Sequence, residues 1–261
     1  MNISKYIDSL IASGRYTFTT SEAEQALGVS KVATRSALRR LRQKNVVAVS
    51  TRGFQLIVPP EYRILGCMPA NYFIDDLMKF LKTPYYVGLL SAAEFHGASH
   101  HKPQQFQVIT NKARAEINCG KIRIVFVAKK GVEFTATQTL NTPYGFVTIS
   151  TPEATAIDLV TYPHHSAGID NIATILVELS EKIESKRMLA LMENSKELAW
   201  IQRLGYLFEI IGENKLAEIF KKHLSTQRVQ PCALQRGLSI KGVPYNEKWG
   251  VFINVEVELD V

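Results

Sequence analysis

Cysteine is scarce in this chain. Cys67, Cys119 and Cys232 are three, odd in number and far apart, which speaks against a disulfide framework or a zinc ribbon and for reduced thiols in a cytoplasmic protein. Long apolar runs are missing too, and none approaches the roughly 20 residues that a membrane span needs. The opening MNISKYIDSLIASGRY is not read as a signal peptide, because Asp8 interrupts its apolar stretch and no cleavage pattern follows. No internal repeat or low-complexity tract occurs. A Gly-rich phosphate loop and a Gly-x-Ser-x-Gly elbow are both absent.

What is present is an ordinary globular composition, 46% hydrophobic and 21% charged over 261 residues, a length that fits two domains. The placement of charge is not ordinary. Residues 1–60 hold nine Lys/Arg against three acids, while the other 201 residues hold 22 against 21. The basic character therefore belongs to one small unit, as expected of a phosphate-facing surface.

Within that unit, Thr19 to Val58 reads as helix, tight turn, helix and two short strands. Gly28 supplies the left-handed conformation that ends the first helix, and Ser30 offers a hydroxyl cap to the next. From Ser30 to about Lys44 the helical phase predicts that Ala33, Ala37 and Leu41 share a buried face. Lys31, Arg35, Arg39 and Arg42 then share a nearly opposite, exposed one. Such a helix suits the major groove, with Ser30 and Thr34 near its N-terminal end, where base edges are reached. Val46 to Val49 and Phe54 to Val58 flank Ser50-Thr51-Arg52-Gly53, a hairpin with a basic tip. The order is that of a winged helix-turn-helix preceded by an amphipathic helix over residues 2–13. An ordinary helical hairpin with a solvated arginine face is the competing account, and the lopsided charge weighs against it.

Pro59-Pro60 cannot continue a sheet ladder, so the domain boundary is placed there: residues 1–60 as the winged helix and 61–261 as a larger α+β domain. Glu61 to Leu65 reads as an extended linker. A helix is predicted over 71–82, with Phe73, Leu77, Phe80 and Leu81 inward. Ser91 and Glu94 have capping-box spacing. Strands are predicted at 106–110, 121–128 and 145–150. Thr151-Pro152-Glu153 is a strong helix start, and four further helices follow between 168 and 224, one of them weakened locally by Gly205. Leu238 to Ile240 and a long alternating strand, 249–259, close the chain.

YYVGLLSAAEFHG (85–97), the pair Lys102-Pro103, a strand, a basic β-segment and TPEATAIDLV (151–160) together resemble the AbiEi family. The similarity extends over residues 4–58, 72–160 and WGVFIN (249–254). It implies an N-terminal winged helix-turn-helix, a C-terminal antitoxin domain and the antitoxin half of a type IV toxin–antitoxin, or abortive-infection, pair. It further implies repression of the protein's own operon through inverted repeats in double-stranded DNA. The partner implied is a nucleotidyltransferase-like toxin, countered without a stable complex. Of the family's functional positions, Lys31, Arg35, Arg39, Arg42 and Arg52 are carried over as DNA-binding; some members are solitary regulators.

Two other classes compete. An enzyme acting on nucleic acid or nucleotides would draw on His96, His100, His101, His164 and His165 with Glu94, Asp158 or Asp170. The adjacent histidine pairs are poor chelates, no HExxH occurs, and Gly97 lies between His96 and His100 at a helix end. Glu94 is better explained as a capping acid. Arg123, Lys121, Lys129 and Lys130 form a second basic patch best read as a solvated sheet face. Trp200 and Phe208 read as core. The other competitor is a solitary regulator sensing a ligand through its second domain. The expectation is a non-enzyme that needs no cofactor or metal.

Overall fold

The computed structural model describes residues 2–98 and 103–258. It is a mixed α+β protein with two compact units, Met1–Val87 with Gln104–Ile149, and Gly88–Pro103 with Ser150–Val261.

The first unit begins with α1 (Ile3–Ala12), β1 (Thr17–Thr19), α2 (Thr20–Leu27), α3 (Lys31–Gln43), β2 (Val47–Thr51) and β3 (Phe54–Ile57). Local chemistry sets each start. Asn2 caps α1 by accepting from the Lys5 amide at 2.8 Å. Thr19 and Glu22 close a reciprocal capping box on α2, which frees neither end of that first turn. The strands form an antiparallel sheet in the order β1-β3-β2. Tyr6, Ile7, Leu10, Phe18, Ala23, Leu27, Leu38, Val47 and Ile57 pack as one core between sheet and helices. Each large apolar side chain so buried is worth roughly 1.5–3 kcal/mol over exposure.

The same unit holds α4 (Ile74–Phe80) and a six-stranded mixed sheet. Its strands are β4 (Tyr85–Val87), β5 (Phe106–Thr110), β6 (Ile117–Cys119), β7 (Ile122–Ala128), β8 (Thr137–Thr142) and β9 (Gly145–Ser150). Their order is β6-β7-β5-β4-β9-β8. β5 and β7 run parallel over five residue pairs.

Several expectations need correction here. Residues 60–62 form a 3-10 turn rather than an extended linker, with Pro60 at its first position. The helix expected over 71–82 is split at Phe73 into a 3-10 turn and α4. Its buried side chains are Phe73, Ile74, Leu77 and Met78, while Phe80 is exposed and its ring lies 5.3 Å from that of Phe54. The chain also stays within one compact unit across Pro59-Pro60. Thr17 Oγ1 donates to Asp76 Oδ2 at 2.6 Å, and the rings of Tyr16 and Tyr144 lie 4.2 Å apart. Such ties place residues 2–58 in one compact unit with the large sheet.

The second unit contains α5 (Leu89–Phe95), α6 (Pro152–Thr161), α7 (Ile169–Ser180), α8 (Ser185–Glu193), α9 (Ala199–Ile210) and α10 (Asn214–Leu224). A small sheet of β10 (Cys232–Ala233), β11 (Tyr245–Asn246) and β12 (Val251–Phe252) completes it, in the order β10-β12-β11. α6 starts as the sequence predicts, with Thr151 accepting from the Ala154 amide and Pro152 at the first helical position. The predicted capping box at Ser91 and Glu94 does not form: α5 starts at Leu89 after Gly88, Ser91 is buried inside it and Glu94 is exposed. α9 runs unbroken through Gly205, against which the Trp249 ring packs. Trp200 and Phe208 are buried beside Phe220, as core. The long terminal strand is shortened to Val251–Phe252, and Leu238 to Ile240 is not a strand. Asn254 is the reason, because its side chain accepts from the Gln235 amide and donates to the Gln235 carbonyl, replacing the next ladder bonds.

Candidate nucleic-acid interface

The turn between α2 and α3 has the chemistry that its residues imply. Gly28 sits at φ 63°, a conformation that costs glycine little. Ser30 caps α3 by accepting from the Ala33 amide at 3.3 Å.

The rotation of α3 differs from the expectation. The buried stripe is Thr34, Leu38 and the half-buried Leu41, with Ala37 at its margin, whereas Ala33 is exposed. Thr34 is fully buried, and its hydroxyl donates to the Ser30 carbonyl at 3.3 Å. That bond lets a threonine occupy a core position, since a hydroxyl turned back on the helix leaves only its methyl to pack. Thr34 therefore has no route to a base edge, which corrects its assignment.

The outward side of α3 is correspondingly richer than the sequence suggested. Lys31, Arg35, Arg39 and Arg42 are exposed as expected, and so are Val32, Ser36, Arg40 and Gln43. Val32 is 73% exposed. Counting every third and fourth residue from the buried Leu38, rather than from the alanines, would have found these four.

Lys31, Arg35 and Arg42 line one wall of an open groove of about 530 Å³. Val49, Arg52 and Gly53 of the β2–β3 hairpin line the other. Ser30 and Arg39 lie outside that lining. The hairpin turn is fixed in place, because the Thr20 amide donates to the Gly53 carbonyl at 2.9 Å and Gln55 Nε2 to Thr20 Oγ1 at 3.1 Å.

Of the acids near this surface, Glu22 is engaged elsewhere, whereas Glu24 lines the groove itself. Glu22 accepts from Arg15 at 2.8 Å and from the Thr19 amide at 2.6 Å. Among the described residues, no carboxylate lies within ion-pair distance of Lys31, Arg35, Arg39, Arg40, Arg42 or Arg52. Six cations on one helix and one turn thus have no carboxylate partner, although Arg42 Nε donates to the Leu38 carbonyl at 3.5 Å.

The enzymatic candidates are not gathered in the same way. His96 is buried and its Nε2 donates to the Ser150 carbonyl at 2.8 Å. Burial pushes its imidazole below the ordinary 6.5, against the carbonyl bond, which favours the proton. Asp158 is buried within α6, and Asp170 accepts from the Glu258 amide. His164 and His165 lie on a separate 3-10 turn, while His100 and His101 fall outside the described residues. Among the described residues, no three His, Cys, Asp or Glu side chains converge as metal ligands. The second basic patch is partly engaged: Arg123 is clamped by Glu116, and Lys129 donates to the Tyr86 hydroxyl at 2.9 Å. No helix among the described residues is long and apolar enough to cross a membrane.

Comparison with known proteins places this fold. Residues 86–210 match the model of the AbiEi antitoxin C-terminal domain. These residues, just under half of the chain, carry an AbiEi antitoxin C-terminal domain, a match that supports an AbiEi-family antitoxin role. Among solved structures, the chain is similar to the RV2827C protein from Mycobacterium tuberculosis, with a TM-score of 0.68 and 16% identity. That likeness covers 95% of this chain and 89% of the other, and at such identity it speaks for the fold alone. No curated protein matches the chain.

Proposed function

We propose that this protein is a DNA-binding antitoxin of a type IV pair that represses its own operon. In this reading residues 2–58 are a winged helix-turn-helix, with α3 the recognition helix and the β2–β3 hairpin the wing. α3 enters the major groove through Val32, Ser36, Arg39, Arg40 and Gln43. Lys31, Arg35, Arg42 and Arg52, on the two walls of the groove, take backbone phosphates, and Ser30 stays as the cap that fixes the helix start. The observation that carries the reading is the set of exposed cations without carboxylate partners on α3 and the hairpin turn. Each phosphate they neutralise releases counterion, which is favourable and falls with salt. The DNA is the inverted repeat of its own promoter. The neutralised partner is a nucleotidyltransferase-like toxin, held in check without a stable complex, and the protein acts in the cytoplasm, not as an enzyme.

Gel shifts of the full chain on its own upstream DNA test this. Arg35→Ala/Arg39→Ala should bind at least tenfold more weakly than wild type and with a shallower salt dependence. Equal binding by both proteins would remove the assignment. Co-expression with the toxin should restore growth while affinity capture of one protein leaves the other behind.

A further inference from the structure

Beside the hairpin lies a second recess, separate from the groove that α3 lines. Its volume is about 520 Å³, and it is bounded by Ser50 and Thr51 on one side and by Lys112, Arg114 and Asn118 on the other. Three features single it out. First, the β2–β3 pairing skips Ser50: Val49 opposes Gln55 and Thr51 opposes Phe54. A bulge of this kind re-aims the extra side chain. The Ser50 hydroxyl so displaced is only 8% exposed and has no hydrogen-bond partner. Second, Arg114 donates through Nη2 to Thr83 Oγ1 at 2.7 Å, but its Nε is buried without a partner. Third, the one acid at the rim, Glu116, is already bound to Arg123 and Asn118. Lys112 and Arg114 have no carboxylate partner among the described residues.

Buried donors left unmade are costly and rare enough to need a reason. Two of them at one recess, with a surplus positive charge, ask for an anion that accepts several hydrogen bonds.

We propose that the recess between Ser50 and Arg114 is a phosphate-binding site. Arg114 Nε, the Ser50 hydroxyl and the Lys112 ammonium donate to the phosphoryl oxygens, while Thr83 holds the guanidinium in register. Ser50 and Thr51 run directly into the turn that bears Arg52. A DNA backbone phosphate lying just past the hairpin is therefore the first source of the ligand, in which case the inference rests on the DNA-binding reading above. A free mononucleotide is the other source, and the volume is within the range of small-ligand sites.

The test uses the full chain with Arg114→Gln, Lys112→Gln and Ser50→Ala. Fluorescence anisotropy on a duplex of its own upstream DNA is read across salt concentrations. Melting temperature is read with AMP and with pyrophosphate. For a DNA phosphate, Arg114→Gln binds about tenfold more weakly and its salt slope falls by about one. Ser50→Ala also weakens binding, yet melts no lower than wild type, because its hydroxyl has no partner to lose. For a free nucleotide, DNA binding is unchanged, but AMP raises the melting temperature of wild type and not of Arg114→Gln. Should Arg114→Gln misfold by circular dichroism, the exposed Lys112→Gln and Ser50→Ala carry the comparison. Wild-type affinity and slope in all folded variants, with no response to AMP or pyrophosphate, overturn the site and leave the DNA-binding reading standing. Failure of wild type to bind DNA, with a nucleotide response intact, does the reverse.

Discussion

The ring of Trp249 occupies the space that a side chain at position 205 would fill. This relationship explains why a glycine, which weakens a helix by roughly 1 kcal/mol relative to alanine, sits in the middle of α9. The indole is 1% exposed, and its Nε1 donates to Glu209 one turn further along the same helix.

Gly205→Ala is accordingly expected to destabilise the protein although alanine is the better helix former. Overpacking against a buried ring costs about 1–3 kcal/mol, more than the propensity gain. Thermal or urea unfolding checks this, and a Gly205→Ala protein more stable than wild type would show that Trp249 can move aside.

A contrast within α3 separates buried from outward positions. Arg40→Ala should weaken DNA binding several-fold and reduce the salt slope by about one. Thr34→Ala should instead lower stability by about 1 kcal/mol through lost packing and leave the affinity of the folded protein unchanged. Anisotropy titrations together with unfolding curves distinguish the two, and a loss of affinity in folded Thr34→Ala would contradict the observed helix rotation.

Stability should fall on mild acidification. Burial disfavours the proton on His96 in the folded protein, whereas the unfolded chain takes it up near 6.5. His165 is shifted the same way by burial and by His164. A group depressed on folding contributes fully above the unfolded value and loses that contribution as pH drops towards the folded one. The melting temperature should therefore decline as pH is lowered from about 7 to 5, and His96→Gln should flatten part of that decline. A profile identical in the variant would assign the effect elsewhere.

Thiol labelling offers a fourth check. Cys67 and Cys119 are buried, and the Cys67 thiol is pushed up by its hydrogen bond to Cys119 and by burial. Cys232 is only partly covered, with its thiol also raised by burial. Native protein should label slowly at Cys232 and more slowly still at the other two, with all three reacting in denaturant. Mass spectrometry of the labelled peptides reads the order directly.

These results show where the sequence was legible. α6 could be read because Thr151, Pro152 and Glu153 state a helix start in three residues, and the match at residues 86–210 agrees with the resemblance found there. The turn before α3 was legible for the same reason, Gly28 and Ser30 each having one conformational role. The rotation of α3 was not. Alanine is an ambiguous marker of a core face, and Thr34 hides its polarity in a bond to its own helix. The cations were visible as charge, but that no carboxylate pairs with them, even with Glu24 lining the same groove, is set by tertiary geometry. The terminal strand misled because period-two alternation cannot register Asn254, whose side chain takes the place of backbone pairing. The recess at Ser50 was invisible, since a skipped register leaves no mark in composition.

The contacts Thr17–Asp76, Tyr16–Tyr144 and Phe54–Phe80 have a practical corollary. A fragment cut at Pro60 would strip these faces bare, presenting aromatic surface and an orphaned threonine hydroxyl to water. The amino-terminal module is thus no portable cassette: grafted onto another protein it would need Tyr16, Thr17 and Phe54 redesigned before it stayed soluble.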